Sequence, residues 1–203
     1  MAKMLPRFDE KRLHGELKCL GSQMQLAFGA LCSERLLPNY EVFSAETGHG
    51  DSSVLRNALE LVWDKALHPA LENTVLRETN VACESQAPSS ETYESLMVTA
   101  AQDACFSLCA LMDFVESADV ERVVVAARYA VDSIDLYVQE VEKMDPADSR
   151  LEERILNHQL MQDELLRQRN SLLELKRIEF LSAETVANLR SRFAVRALPL
   201  TES

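Results

Sequence analysis

VERVVVAARYAVDSIDLYVQEV, residues 120–141, is the stretch of sequence that decides the fold class. Its apolar side chains recur in alternating steps of four and three residues, at Val120, Val124, Ala127, Val131, Ile134, Val138 and Val141. This spacing is typical of a heptad seam along one face of an α-helix. The many valines favour a strand locally, but the helical period outweighs that preference. The sequence therefore predicts a long helix here.

A second long helix is predicted upstream of this stretch. It is expected to begin at Ser89 or Ser90, where acidic residues follow a possible cap. Its apolar residues again follow steps of three and four, at Tyr93, Met97, Ala100, Ala104, Leu108, Leu111 and Val115. This stretch and residues 120–141, which follow it in the chain, are therefore both predicted to be helical from the spacing of their apolar residues.

A third long helix is predicted downstream, from about residue 147 to residue 180. Its apolar stripe is interrupted by two polar residues, His158 and Gln168. Ser182 is expected to cap a last short helix that ends near residue 193. From about residue 195 we expect a loose tail.

The N-terminal part of the chain predicts shorter helices, at about 9–19, 22–36, 51–68 and, more weakly, 73–86. Pro38 is expected to open a further short helix that ends at Gly48, a plausible left-handed cap. No Asn-Gly or Asp-Gly hairpin signal and no sustained strand-like alternation occurs. The expected fold is all-α: one domain over residues 1–203, a bundle of about seven to nine helices, three of them long.

Acidic residues are distributed unevenly along the chain, whose formal net charge is −12. Residues 1–50 carry 6 acids and 6 bases, residues 51–150 carry 19 and 7, and residues 151–203 carry 8 and 8. The entire excess therefore lies in the middle segment. This balance argues against nucleic-acid binding, which needs clustered Lys and Arg. The middle segment is either an ordinary solvated surface or a docking face for a basic protein partner.

The remaining composition points to a cytoplasmic protein. The first residues turn charged before an apolar run of signal-peptide length develops, and no later stretch is expected to span a membrane. The five cysteines, Cys19, Cys32, Cys83, Cys105 and Cys109, lack the paired spacings of disulfide frameworks or zinc sites. They are interpreted as buried thiols in a reducing compartment, and neither a metal nor a cofactor is expected.

One compact region carries a resemblance to a known family. The run CSERLLPNY at 32–40, followed by Phe43 and TGHGD at 47–51, resembles the YjaG-like family of bacterial proteins, which has no assigned function. LELVW at 59–63 and DAC at 103–105 are similar to the same pattern. The resemblance implies an all-helical, cytosolic bacterial protein and assigns no catalytic residue.

Several polar and aromatic residues in these matching stretches have expected structural or binding roles. Asp103 stands in an apolar stretch and needs a cation or hydrogen-bond donors, and Arg35 is the cation expected from the family pattern. Asn39 and Asp51 are expected as helix caps, and the Gly-His-Gly turn at 48–50 is the place where backbone could line a pocket. The candidate binding residues are Glu34, Arg35, Asn39, Tyr40, His49, Asp51, Trp63 and Asp103.

Two functions stay open at this level. The first is a non-enzymatic interaction protein that self-associates as a homodimer or binds a basic partner; leftover apolar surface on the long C-terminal segment would favour a dimer. The second is a small-molecule-binding protein or enzyme whose site gathers the Glu34–Asp51 region against Asp103. No catalytic triad, phosphate loop or Glu-x-x-His motif occurs in the sequence.

Overall fold

The computed structural model describes residues 6–199. Over this range the chain forms helices and loops and no strand, which confirms the all-α prediction. The helices are α1 Glu10–Leu17, α2 Ser22–Thr47, α3 Ser52–Leu67, α4 Asn73–Ser85, α5 Val98–Ser117, α6 Val120–Val141, α7 Leu151–Asn157, α8 Gln159–Leu175 and α9 Ala183–Phe193.

The three longest helices, α2, α5 and α6, pack against one another and form the centre of the bundle. Of the predicted seam of α6, Val124, Ala127, Ile134 and Val138 are buried, Val120 and Val131 are partly buried, and Val141 is exposed. The approach of α2 to α5 is very close, because a Cβ on Gly29 would collide with the side chain of Leu111. A glycine at this position therefore allows the two central helices to touch.

The predicted break at Pro38 is wrong, because α2 runs without interruption from Ser22 to Thr47. Proline has no N–H for the carbonyl of Glu34, a loss that normally weakens a helix. The neighbouring residues Leu36, Leu37 and Tyr40 are buried, and their packing holds the helical course through the proline. Gly48 ends α2 in the left-handed conformation, with φ of 71°, as the sequence predicted.

Two other predicted helices have different ends. The helix expected from Ser89 or Ser90 begins only at Val98, so Tyr93 lies in the preceding loop. The helix expected over 147–180 is divided at His158, whose backbone is extended with φ of −67° and ψ of 140°. The ring of His158 accepts a hydrogen bond from the N–H of Leu160 and so caps α8.

The C-terminal segment is packed rather than loose at least as far as Leu198. Ala197 and Leu198 are buried, and the N–H of Ala197 lies 3.4 Å from the carbonyl oxygen of Arg35. Residues 200–203 lie outside the described range. Ser182 caps α9 through the N–H of Thr185, which confirms that prediction.

Helix α5 is long and apolar enough to cross a membrane by length and composition, which the sequence reading did not anticipate. In this structure 67% of its most apolar window is buried inside the protein. It packs against α2, α4 and α6. The apolar residues of α5 therefore lie mostly in the core of the bundle.

Candidate functional site

Glu34 joins three helices through its carboxylate. The indole N–H of Trp63 donates to Glu34 Oε1 at 3.0 Å, and Nε of Arg190 lies 2.7 Å from the same oxygen. Arg56 lies 3.6 Å from the second oxygen. Arg190 also binds Glu60, with Nη1 at 2.8 Å from Oε2. Glu34 on α2 and Trp63 on α3 thus hold α9 in place.

Arg35, the next residue, holds a different part of the C-terminal region. Its Nε and Nη2 donate to the two carboxylate oxygens of Glu164 at 2.8 and 2.7 Å, and both side chains are 0% exposed. Its Nη1 donates to the carbonyls of Leu31 and Phe193. Burial alone would lower the pKa of Arg35, but the Glu164 carboxylate raises it above its ordinary value. The guanidinium therefore stays charged in the core.

Arg35 is not the partner of Asp103, which corrects the pairing expected from the family pattern. Asp103 on α5 accepts a hydrogen bond from the hydroxyl of Ser133 on α6 at 2.6 Å. Burial raises its pKa to about 7, the Ser133 bond opposes that rise, and the charge of Asp132 adds to it. Asp103 is therefore a carboxyl group held between two central helices.

Three further candidates, Tyr40, His49 and Asp51, lie apart from these contacts, at the turn after α2 or near it. Nε2 of His49 donates to the carbonyl of Gln86 at 3.0 Å, because a carbonyl oxygen can only accept. The other ring nitrogen then accepts from the hydroxyl of Tyr93 at 3.0 Å. The Tyr40 hydroxyl also donates to the carbonyl of Gln86, at 3.0 Å. The N–H of Asp51 donates to the side-chain oxygen of Gln86 at 2.7 Å.

These contacts fix the turn to the segment that precedes α5. Asp51 caps α3 by accepting from the N–H of Ser53 at 2.8 Å, as predicted, and the Ser53 hydrogen bonds lower its pKa. Gly50 has φ of 64°, and a Cβ there would lie 2.7 Å from Gln86 Oε1 and would collide with the Tyr40 hydroxyl. The Gly-His-Gly turn is filled by its own neighbours.

Asn39, the last candidate, is not a helix cap. It lies in the interior of α2 and is completely buried. Neither its side-chain oxygen nor its side-chain nitrogen has a hydrogen-bond partner in the described part of the chain. Buried amides without partners are costly and uncommon. The prediction that Asn39 caps a helix failed together with the predicted break at Pro38.

The candidate residues therefore lie in separate contacts and do not share one pocket. Arg35, Asp51 and Asp103 have no partner in common. Across residues 6–199, no three His, Cys, Asp or Glu side chains are placed to hold a metal ion. A ligand-binding role for the eight residues stays a prediction, while their contacts within the fold are now defined.

The cysteines have raised pKa values where they are buried. Burial raises the pKa of Cys32, Cys83 and Cys109 to about 12, and it raises the pKa of Cys105 as well. A thiol with such a pKa is almost entirely protonated near neutral pH and is a poor nucleophile. The interpretation of these four residues as small apolar core groups fits this chemistry, whereas Cys19 is exposed, so the prediction that all five thiols are buried was wrong for that residue.

A further concave surface among the described residues lies elsewhere, between α1 and the α7–α8 pair. This groove has a volume of about 870 Å³. It is lined by Pro6, Arg7, Phe8, Asp9, Arg12, Leu13, Glu16, Glu153, Leu156, Asn157, Leu165, Gln168, Arg169, Leu172 and Leu173. None of the eight sequence-predicted candidates is among them. The sequence analysis did not predict this groove; the interruption of the apolar stripe at Gln168 is the sequence feature that lies in it.

Comparison with known proteins gives the class of the protein as an all-helical family without assigned activity. Residues 12–196 match the family model described as Protein of unknown function (DUF416). The chain belongs to this family, and the predicted YjaG-like membership is confirmed.

Relatives and a solved structure agree with this membership. The chain is 31% identical over 107 residues to the Uncharacterized protein YjaG of Escherichia coli (strain K12) and of Salmonella typhi. Each match covers 49% of this chain and 50% of the relative, so the matched part spans about half the length of these curated relatives. A crystal structure of a DUF416 family protein from Shewanella baltica OS155 superposes with a TM-score of 0.80 and 26% identity. That superposition covers 89% of this chain and 92% of the other.

Proposed function

We propose that this protein is a non-enzymatic interaction protein. The observation that carries the proposal is that seven of the eight candidate residues are engaged with other side chains or backbone of the same chain. Glu34, Trp63 and Arg35 hold the C-terminal helices. Polar groups bound in this way stabilise a fixed surface rather than serve as acids, bases or nucleophiles.

Self-association is one form of this proposal. Leu166 and Leu173 lie seven residues apart on α8, hence on one face, and are 47% and 41% exposed. Phe180, just beyond α8, is 76% exposed. Exposed apolar side chains arranged along one helix favour a two-fold contact between copies of the chain. Light scattering over a wide concentration range tests the expected homodimer, and Leu166→Ala is expected to weaken it.

A basic protein partner is the other form, and its docking face would lie in residues 51–150. Arginine or lysine side chains of such a partner would meet exposed glutamates on and beside α4. The binding of a lysine-rich probe peptide is expected to fall when three of them are changed to Gln. The matched control removes three charges outside the segment. The test set is Glu72, Glu78 and Glu84, and the control set is Glu152, Glu179 and Glu184.

The two variants separate a docking face from the effect of net charge. Since each removes three negative charges, equal losses of probe binding would show that only the total charge acts. A loss confined to the α4 variant, and abolished at high salt, is the expected result. A protein that is strictly monomeric and binds the probe equally in both variants would contradict the proposed function.

A further inference from the structure

The groove between α1 and the α7–α8 pair has an apolar floor. Leu13 comes from α1, Leu156 from α7, and Leu165 and Leu172 from α8, with Phe8 at the start of the described chain nearby. Its volume of about 870 Å³ lies within the range of roughly 300–1,000 Å³ that is usual for small-molecule sites. The floor therefore offers space for an apolar body of that size.

One polar side chain at this groove is almost completely buried. Gln168 is 5% exposed, and its Nε2 donates to the carbonyl of Ala127 at 3.0 Å and to Glu164 Oε1 at 2.9 Å. Both amide hydrogens are thereby used. No described residue donates to its side-chain oxygen, so this oxygen is the group that Gln168 offers to the groove. Gln168 thus connects the groove with the buried Arg35–Glu164 pair.

Three arginines lie around the apolar floor. Arg12 binds Glu16 at 2.8 Å, whereas Arg7 and Arg169 have no carboxylate partner among residues 6–199. Arginine binds carboxylates and phosphates through two parallel hydrogen bonds, which makes it well suited to a single anionic headgroup.

Two of the three acidic residues that line the groove accept hydrogen bonds from described residues. Asp9 caps α1 by accepting from the N–H of Arg12 at 3.0 Å. Glu16 is bound by Arg12 and by Lys176, each at 2.8 Å, and these bonds lower its pKa. Glu153 is exposed and carries its charge without a described partner. Neither Asp9 nor Glu153 has a cation partner among the described residues, so Arg7 and Arg169 face two carboxylates that no side chain neutralises.

The residues that line the groove come from the two segments of the chain that carry no excess of acids. All of its lining residues belong to the segments 1–50 and 151–203, in which acids and bases are equal in number. The excess of negative charge lies entirely in residues 51–150. Helix α6, which belongs to that acidic segment, packs against α1, α7 and α8, so the balanced charge applies to the lining residues themselves.

From these observations we propose that the groove binds an anionic amphiphile, a small molecule with an apolar tail and one carboxylate or phosphate headgroup. The tail lies on Leu165, Leu172 and Leu173, and the headgroup is bound by Arg7 and Arg169. The side-chain oxygen of Gln168 accepts a hydrogen bond from a hydroxyl or amide on the tail where one is present. This site shares Leu173 with the proposed dimer face, but it requires neither self-association nor a basic partner.

Calorimetric titration of the full chain with monomeric laurate tests the proposal. Dodecyl phosphate distinguishes a phosphate from a carboxylate headgroup, and methyl laurate and dodecyltrimethylammonium keep the tail without the negative charge. Binding of laurate or dodecyl phosphate at least about tenfold tighter than that of the uncharged and cationic compounds is expected, which corresponds to about 1.4 kcal/mol. Equal binding of all four compounds, or no binding of the two anions, would overturn the proposal.

Matched variants locate the site. Arg169→Gln is expected to weaken binding of the anion about tenfold, because it removes one charge-assisted contact. Arg177 is an exposed arginine outside the groove, and Arg177→Gln is expected to leave the binding unchanged. Leu173→Ala is expected to weaken binding of the anion several-fold, whereas Leu166→Ala on the same helix is expected to leave this binding unchanged. Equal losses in test and control variants would place the binding elsewhere.

A further probe separates the amphiphile from a protein partner. An amphipathic helical peptide with acidic residues on its polar face could use the same floor and the same arginines. The proposal is wrong, and the groove is a protein-docking site, if three results are found together. The peptide binds, its binding is weakened by Arg169→Gln, and neither laurate nor dodecyl phosphate competes with it. Competition by the anions at low concentration is the expected result.

Discussion

Arg35 and Glu164, 129 residues apart in the chain, form a completely buried ion pair with two hydrogen bonds of 2.8 and 2.7 Å. Gln168 donates to the same carboxylate, and Nη2 of Arg35 lies 3.3 Å from the sulfur of Cys32. The pair connects α2 in the centre of the bundle with α8 near the C-terminus. Its polar groups are satisfied within the protein, as a buried pair requires.

Removing one member of this pair should be strongly destabilising. Arg35→Met leaves Glu164 as a buried charge without its cation, and we expect the free energy of unfolding to fall by about 3–5 kcal/mol. Arg77→Met, which breaks the exposed pair with Glu116, should cost about 0–1 kcal/mol. Urea denaturation measures both. If the double variant Arg35→Met/Glu164→Leu were no more stable than Arg35→Met alone, the cost would not come from the unpaired charge.

Asp103 should make the stability depend on pH around neutrality. Its pKa is about 7 in the folded protein and 3.8 as an ordinary aspartate, so the folded state holds its proton more tightly. The free energy of unfolding is therefore expected to fall as the pH rises from about 4 through about 7. Tyr129, Asp132 and Ser133 surround this carboxyl, and none supplies a positive charge.

Asp103→Asn tests this expectation because it keeps a hydrogen-bonding group for Ser133 and removes the titrating proton. The variant should be more stable than the wild type at about pH 8, by on the order of 2 kcal/mol, and similar to it at about pH 4. Urea denaturation across this range gives the comparison. Glu140→Gln on the exposed side of α6 is the control and should leave the pH profile unchanged. A parallel profile for Asp103→Asn and wild type would contradict the raised pKa.

Gly50 and Gly48 allow the cost of backbone strain to be separated from the cost of a collision. Both have positive φ, 64° and 71°, but only at Gly50 would a Cβ meet neighbours, Tyr40 and Gln86. Gly48→Ala should cost about 1 kcal/mol from conformation alone. Gly50→Ala should cost clearly more and should disturb the His49–Tyr93 contact. Thermal unfolding measures the difference, and equal costs would show that the turn adjusts freely.

Arg190 should decide how firmly α9 is attached. Its guanidinium binds Glu34 and Glu60, and its carbon Cζ lies 5.8 Å from the centre of the Trp63 ring. Arg190→Gln is expected to lower the free energy of unfolding by about 1–3 kcal/mol. It should also speed tryptic cleavage at Lys176 or Arg177, ahead of α9. Arg192→Gln on the same helix is the control, because the side chain of Arg192 is 49% exposed and that of Arg190 is 29% exposed.

The features that the sequence predicted correctly depend on neighbours close in the chain. The heptad seam of α6, the left-handed end of α2 at Gly48 and the caps at Asp51 and Ser182 all follow from spacings of a few residues. A helical period or a capping side chain acts within one or two turns. For this reason the all-α class could be predicted from the sequence alone.

The predicted helix ends failed where distant contacts oppose a local preference. Pro38 is a strong local signal for a break, yet α2 continues because its neighbours are buried by other helices. The division at His158 is local instead, because this residue already interrupts the apolar stripe and its ring caps α8. Helix propensity is a weak term, and at Pro38 tertiary packing overrides it.

The sequence by itself determined that this protein is helical, which faces of its long helices are apolar, and where its negative charge lies. Only the tertiary structure decided that Arg35 pairs with Glu164 rather than Asp103, and that α1 and α7–α8 form a groove. Periodicity fixes which residues of a helix are buried, because it depends on the helix alone. The partner of a buried charge is fixed by how helices far apart in the chain pack together.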